Sequence, residues 1–498
     1  MANTKRIAIL AIMIAIMVPA LFFLSCTAAK ADEDHTFTDL AGNAAVLVEL
    51  DSGDVLFAQN MNIRHPADAL AKIMTLLVAL RACADGAADP NELVVMTESA
   101  WFDVTHSSTS QNIRPGETMT LLDLMYCAYV GSANEACNMI AEHIAGSVEA
   151  FVAMMNGLAD EIGCENTNFT NPHGQYDADQ YTTAYNQYMI YREALEYPLF
   201  VDITGTLRYT VESSDRSGEL SFTGTNSMLN SGSKYYYRNC VSGLASAVFS
   251  NGTTGATYEG GYSIVSLAES DGLSLVAVVL GSDTVMYEDN SVDMRDLTEA
   301  RRLFEWGFSN YSLRTILLQS DLVARAPVLH GSGADYVILH PETSITLLLR
   351  NDIPNDAFRQ DLTIYSEDNE EPLVAPVEAG DVLGELTLTY VGEVVDELTR
   401  KYADEVYGPI KLIAITSIEL HKFQYVKMQI ADVLSSTVAR IIISMLAILI
   451  VAYAALVIRY NIIRRRRIQR NKETRQRIIN DRQNQKQTQY DDTRKTKP

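Results

Sequence analysis

Residues 441–458 form an unbroken run of uncharged, mostly apolar side chains between Arg440 and Arg459. At about 1.5 Å per residue, a helix of that length rises roughly 27 Å, enough to cross bilayer hydrocarbon with flanking side chains snorkelling to the headgroups. "RYNIIRRRRIQR" follows at once, the excess of positive charge that marks a cytoplasmic side. A core helix of a soluble protein is seldom followed by four consecutive arginines. The run therefore predicts a transmembrane helix over 438–460, a body outside the cytoplasm and a basic cytoplasmic tail over 461–498.

The other end agrees. "MANTKR" and "IAILAIMIAIMVPALFFL" form a charged segment and an apolar core, and "TAAKA" offers an Ala-x-Ala cleavage site after Ala31. Residues 1–31 thus read as a signal peptide or, given the length of the core, a retained N-terminal anchor. A lipoprotein site at Cys26 fits less well, because Phe23 stands where an aliphatic residue is usual.

Charge is segregated along the chain. The formal net charge is −24, yet from Arg459 onward there are 14 Lys/Arg against 4 Asp/Glu, and residues 1–31 add three basic groups and no acid. The body between carries roughly −37. So acidic a surface excludes nucleic-acid binding by the body, which would need cations to neutralise phosphates. The six cysteines have no metal-ligand spacing, and cleavage after Ala31 would leave an odd five, so buried free thiols are expected rather than a disulfide framework. Nothing in the sequence calls for a cofactor or a metal.

Within the body, "NAAVLVELDSGDVLFAQN" reads as a hairpin turning at Asp51-Ser52-Gly53-Asp54. Residues 69–83 switch to helical spacing, with Leu70, Ile73, Met74 and Leu77 on one face and Asp68 as the expected N-cap. Helical patterns dominate 119–197, strand-like runs return at 262–268 and 273–281, and 293–308 reads as a closing helix. That order predicts an α+β domain over 32–314. Short alternating runs over 320–418 predict a small all-β domain. Residues 419–437 read as a helical stalk, and the polar tail after about 468 as disordered or lying along anionic lipid.

Three short segments could carry chemistry. Enzymes that acylate a serine with penicillin use S-x-x-K, S-x-N and K-T-G around one cleft. Helical spacing puts the serine and lysine one turn apart, so the amine can take the hydroxyl proton. Here "PADALAKIMT" (66–75) places Ala69 and Lys72 at the first spacing, and "GSANEACNMIAEHIAGS" places Ser132 and Asn134 at the second. Alone, neither an A-x-x-K nor an S-x-N means much. Lys72 by itself would be an ordinary solvated lysine.

In order, however, these segments resemble the serine D-alanyl-D-alanine carboxypeptidases, the low-molecular-mass penicillin-binding proteins. "PADALAKIMT" is similar to their P-M-A-S-L-T-K-I-M-T, and "AFVAMMNGLADEIGCENTNFTNPHGQYDADQYTTAY" follows their pattern almost without a gap. "ARRLFEWGFSNY" and "VAPVEAGDVLGELTL" fit their closing helix and C-terminal β domain. The resemblance covers about 40–400 and implies a β-lactamase/transpeptidase-like fold, an antiparallel sheet with a helical lobe. It implies a cleft holding Lys72, Ser132 and Asn134; His173 of "NPHG" reads by itself as a structural loop residue rather than a catalytic one.

The departures fall on the chemistry. Ala69 stands at the nucleophile position. The third motif, whose lysine attracts the substrate carboxylate, has two placements. "TTGATYEGGYSIV" puts it at Thr253, Thr254 and Gly255, preserving register into the next strand; "CVSGLASA" puts it at Ala245, Ser246 and Ala247. Either way the lysine is missing.

Three functions follow. The chain is a pseudoenzyme of peptidoglycan metabolism that binds stem peptides ending in D-Ala-D-Ala, a divergent but active carboxypeptidase with a nucleophile such as Ser132 or a bound water, or a binding module for another wall enzyme. Two losses in one site favour the first and third over the second.

Overall fold

A computed structural model describes Phe37 and residues 40–102, 110–211, 220–245, 261–286 and 292–494. The N-terminal apolar run, Ser246, Ala247, Thr253, Thr254 and Gly255 lie outside the described residues.

The chain divides into two compact units, the first comprising Met1–Leu318, Ser344–Asp361 and Thr387–Gly408. Its centre is a five-stranded antiparallel sheet. The expected hairpin supplies β1 (Ala44–Glu49) and β2 (Val55–Gln59); β3 (Cys240–Ala245), β4 (Tyr262–Ser270) and β5 (Leu273–Ser282) come from much later in the chain. Their order is β2-β1-β5-β4-β3, so β1 is internal and β3 is an edge. Ala44 pairs with Leu280 and Glu49 with Leu275.

Every residue of β1 is buried. The hairpin reading implies one wet face, but both faces of this strand are covered, and such strands read as continuous apolar runs. Val46 and Val48 point into one core, shared with Val276 and Val278 of β5 and with the helical lobe. Leu47 points into the other, shared with Leu275. There Gly307 of the closing helix comes so near that a Cβ would lie 2.7 Å from Leu275 and 2.9 Å from Leu47.

The lobe is formed by α1 (Ala71–Ala84), α2 (Leu121–Tyr129), α3 (Asn134–Ala145), α4 (Val148–Ile162), α5 (Ala184–Leu195) and α6 (Pro198–Thr204). The hydroxyls of Thr120, Ser147 and Thr183 cap α2, α4 and α5, and Gly146 and Gly163 end α3 and α4 in the left-handed conformation. The predicted cap on α1 is not made. Asp68 opens a single 3-10 turn, Asp68–Leu70, and neither this turn nor α1 has a side-chain cap. The single apolar face read for α1 is also too narrow, because the helix lies inside the lobe and buries Lys72 and Thr75 along with its apolar residues. The closing helix, α7 (Arg295–Asn310), covers the second core.

The second unit takes Gln319–Thr343, Leu362–Leu386 and Pro409–Pro498. It holds most of a six-stranded sheet with the strand order Phe358–Ile364, Val382–Tyr390, Val406–Ala414, Tyr336–Pro341, Ala324–Leu329, Leu373–Val374. Then come α8 (Lys422–Ser435) and α9 (Thr437–Arg494). Among the described residues, α9 is the one helix long and apolar enough to cross a membrane. After 468, where disorder or a segment lying along anionic lipid is expected, α9 continues as a helix to Arg494, so the first of these does not hold. Arg, Gln, Lys and Glu are good helix formers, and extending a formed helix avoids the cost of nucleating one.

Candidate active site

Three segments of the first unit converge on Lys72. The first is its own, the 3-10 turn leading into α1, where Ala69 is half-buried and Lys72 is 3% exposed. The second links α2 to α3. Ser132 there is buried with φ +51°, and Asn134 is the first residue of α3. The third is the loop 171–175. Lys72 Nζ donates to Asn134 Oδ1 at 2.8 Å and to the carbonyl of His173. Two of the three N–H groups of the ammonium are thereby engaged by fixed acceptors.

The loop is built to present that carbonyl. Asn171 Oδ1 accepts from Gly174 N at 2.7 Å, Asn171 Nδ2 donates to the carbonyl of Gln175 at 2.9 Å, and Gln175 N donates to His173 Nδ1 at 3.1 Å. One turn along α1 from Lys72, Thr75 Oγ1 donates to the carbonyl of Pro172 at 2.6 Å. Gly174, at φ +80°, lies directly on the turn before α1: a Cβ there would stand 1.8 Å from the carbonyl oxygen of Asp68. Asp68 itself has φ +45°, a left-handed conformation that costs a non-glycine residue about 1–2 kcal/mol. The backbone around Ala69 is thus held in an uncommon shape.

Burial pulls the Lys72 amine below the usual lysine range, against the opposing pull of nearby acidic groups including Glu135. Glu135 is fully buried and its Oε1 accepts from Ser110 Oγ at 2.9 Å and from Gln111 N at 2.7 Å, which fixes the chain bordering the cleft. Cys137, one turn past Asn134, is buried and its thiol is pushed up to about 11, so it stays neutral.

His173 is pulled down to about 3 by burial and by the neighbouring Lys72 charge. The unfolded imidazole titrates near 6.5, so the unfolded chain binds the proton first, and stability present above pH 6.5 is lost as pH falls toward 3. Replacing His173→Asn, which can still accept from Gln175 N, should flatten the fall in thermal midpoint across that window. Equal acid sensitivity in parent and variant would show that His173 is not the group responsible.

The sequence reading brought Lys72 and Asn134 together, and they touch. It placed Ser132 at the same loop, where it lies. It missed that a backbone carbonyl holds the lysine, although "NPHG" carried the signal: an Asn and a Gly three residues apart that close the loop by a side-chain bond. Of the two third-motif placements, the described structure reaches only Ala245, the last residue of edge strand β3, paired with Ile264 of β4.

The profile of one protein family, described as D-alanyl-D-alanine carboxypeptidase, matches residues 27–284. The chain belongs to that family. This family member is 29% identical over 371 residues to the D-alanyl-D-alanine carboxypeptidase DacF of Bacillus subtilis, covering 74% of this chain and 87% of that one. It is 25% identical over 380 residues to DacD of Escherichia coli, covering 75% and 90%. Among solved structures, the peptidoglycan synthesis regulatory factor (PBP3) of Streptococcus pneumoniae shares the fold with a TM-score of 0.54 at 23% identity, over 77% of this chain and all of the other. Penicillin binding protein 5 of Haemophilus influenzae does so with a TM-score of 0.51 at 23% identity, over 77% and 99%. The α+β, β-lactamase/transpeptidase-like fold expected from the motifs is therefore the fold of this chain.

Proposed function

We propose that this family member is a membrane-anchored, wall-facing pseudoenzyme that binds peptidoglycan stem peptides ending in D-Ala-D-Ala without cleaving them. One observation carries the reading. The cradle of Lys72, Asn134 and the His173 carbonyl is fully assembled, while Ala69 has no hydroxyl for the amine to deprotonate. A cradle kept in shape around a missing nucleophile suits recognition better than turnover. Ser132 is a poor replacement, because it is 6% exposed and Lys72 is directed to two other acceptors. A pentapeptide ending in D-Ala-D-Ala should bind the purified protein reversibly and release no D-alanine over a Lys72→Ala control. Release above that control would establish the active alternative. No binding at all would leave the scaffold for another wall enzyme as the remaining role.

The topology belongs to the same reading, supported by one apolar helix followed by Arg459 and Arg464–Arg467 in sequence. Protease added to intact cells or spheroplasts should digest the body and leave a tagged C-terminal segment. A tag lost under those conditions would reverse the orientation.

A further inference from the structure

The last helix carries charge that peptide binding does not use. The alignments with DacF and DacD leave about a quarter of this chain unmatched. Within α9, the side chains of Arg464, Arg465, Arg466 and Arg467 are all exposed. Successive helical residues are about 100° apart, so four in a row take up roughly 300° of the circumference. They form a collar rather than a face. No acidic residue stands between Asp432 and Glu473, so the collar has no counter-charge on the adjacent turns of its own helix.

Its depth matters as much as its charge. From Thr437, where α9 begins, to Ile463, the chain rises roughly 40 Å as a helix, close to the thickness of a bilayer including both headgroup layers. The collar therefore falls at the phosphate level of the leaflet where the span ends. Ile462 and Ile463 on one side and Ile468 on the other are exposed, an apolar interleaving that suits an interface between lipid and water.

We propose that this collar binds the headgroups of anionic phospholipids and gathers them around the helix. Guanidinium groups bond phosphate oxygens in pairs, and their coverage of the circumference lets several lipids dock at once. The proposal rests on the membrane-spanning reading above. A nucleic acid also offers phosphates, but the depth of the collar and its flanking isoleucines favour lipid.

The test uses the full-length chain in vesicles of phosphatidylcholine with a minority of phosphatidylglycerol, each lipid spin-labelled in turn. The fraction of motionally restricted label reports the lipid beside the protein. Phosphatidylglycerol should be favoured by about fivefold or more, the effect of even one basic residue near an anionic surface. That preference should fall toward unity in the R464Q/R465Q/R466Q/R467Q variant, and also in high salt. Flotation after an alkaline wash separates the two readings. If the parent does not float with the vesicles, the span itself is wrong and the collar falls with it. If it floats but shows no preference, or if the variant keeps the preference, the collar proposal alone is overturned. Displacement of phosphatidylglycerol by a short duplex RNA at equal phosphate concentration would overturn it in favour of nucleic acid.

Discussion

Incubated with a labelled penicillin, the purified protein is expected to gain no mass. Stable capture of a β-lactam needs a covalent bond to a hydroxyl, and position 69 carries only a methyl group, three residues before a lysine whose amine is held by Asn134 and the His173 carbonyl. Removing a nucleophilic serine from a hydrolytic site costs about 10⁶ in turnover, and covalent capture, which needs that same oxygen, is lost with it. Restoring the hydroxyl alone should recover little. Ala69→Ser returns a nucleophile to a site whose third motif still lacks the cation that places a substrate carboxylate. A charge-assisted hydrogen bond of that kind contributes roughly 1.5–3 kcal/mol, or about one to two decades in rate when formed in the transition state. Ala69→Ser combined with Thr253→Lys, or with Ala245→Lys for the other placement, should therefore acylate measurably faster than Ala69→Ser. Which combination succeeds locates the third motif. An unmodified parent that does gain the mass of one penicillin would refute the pseudoenzyme reading outright.

Gly174→Ala is the substitution expected to damage the fold most. Two costs add there. The residue holds φ +80°, which costs a residue with a Cβ about 1 kcal/mol or more, and the new methyl would stand 1.8 Å from the Asp68 carbonyl oxygen, 2.4 Å from its carbon and 2.8 Å from Ala69 Cα. All three are backbone atoms at the entrance to a buried helix, so they cannot swing aside as a side chain could. A loss of about 4–5 kcal/mol is expected, at the upper end of what single substitutions cause, or a fall of roughly 10 °C or more in thermal midpoint. Gly116→Ala is the control. It has φ +87° and nothing within 4 Å of its added Cβ, so it isolates the conformational cost at about 1 kcal/mol. Similar midpoints for the two variants would mean that the loop moves freely off the turn and does not brace it. A severely damaged Gly174→Ala should also lose peptide binding, because the His173 carbonyl is fixed by the same loop.

What could be read from residue order and what could not divides along a physical line. Side chains announce themselves. Lys72 and Asn134 lie far apart in sequence, yet ordered motifs placed them in one cleft, and the strands over 262–268 and 273–281 followed from runs of β-branched and apolar residues. Backbone contacts do not. The His173 carbonyl that holds Lys72, and the bare Cα of Gly174 against Asp68, depend on where main chain meets main chain. Asp68 shows the opposite failure. A carboxylate before an apolar helix is a good capping signal, but the chain enters α1 through a 3-10 turn with φ +45° at that residue. Of the two readings of the tail, disorder rests on polar composition alone, whereas a helix already nucleated by the apolar run extends readily through Arg and Gln; a segment along anionic lipid is compatible with that helix.

The position of β1 in its sheet also sets a timetable for biogenesis. The strand leaves the ribosome early, apolar on both sides, and its neighbour on the inner side is β5, whose Leu280 faces Ala44. About 230 further residues must be made before that neighbour exists, a wait of roughly ten to fifty seconds at ordinary rates of synthesis. Until then β2 is the only sheet partner β1 can have, and a two-stranded ribbon is marginally stable in water. The nascent body is therefore sticky for most of its synthesis, because the strand is buried only once β5 pairs with it and the closing helix α7 packs on Leu47.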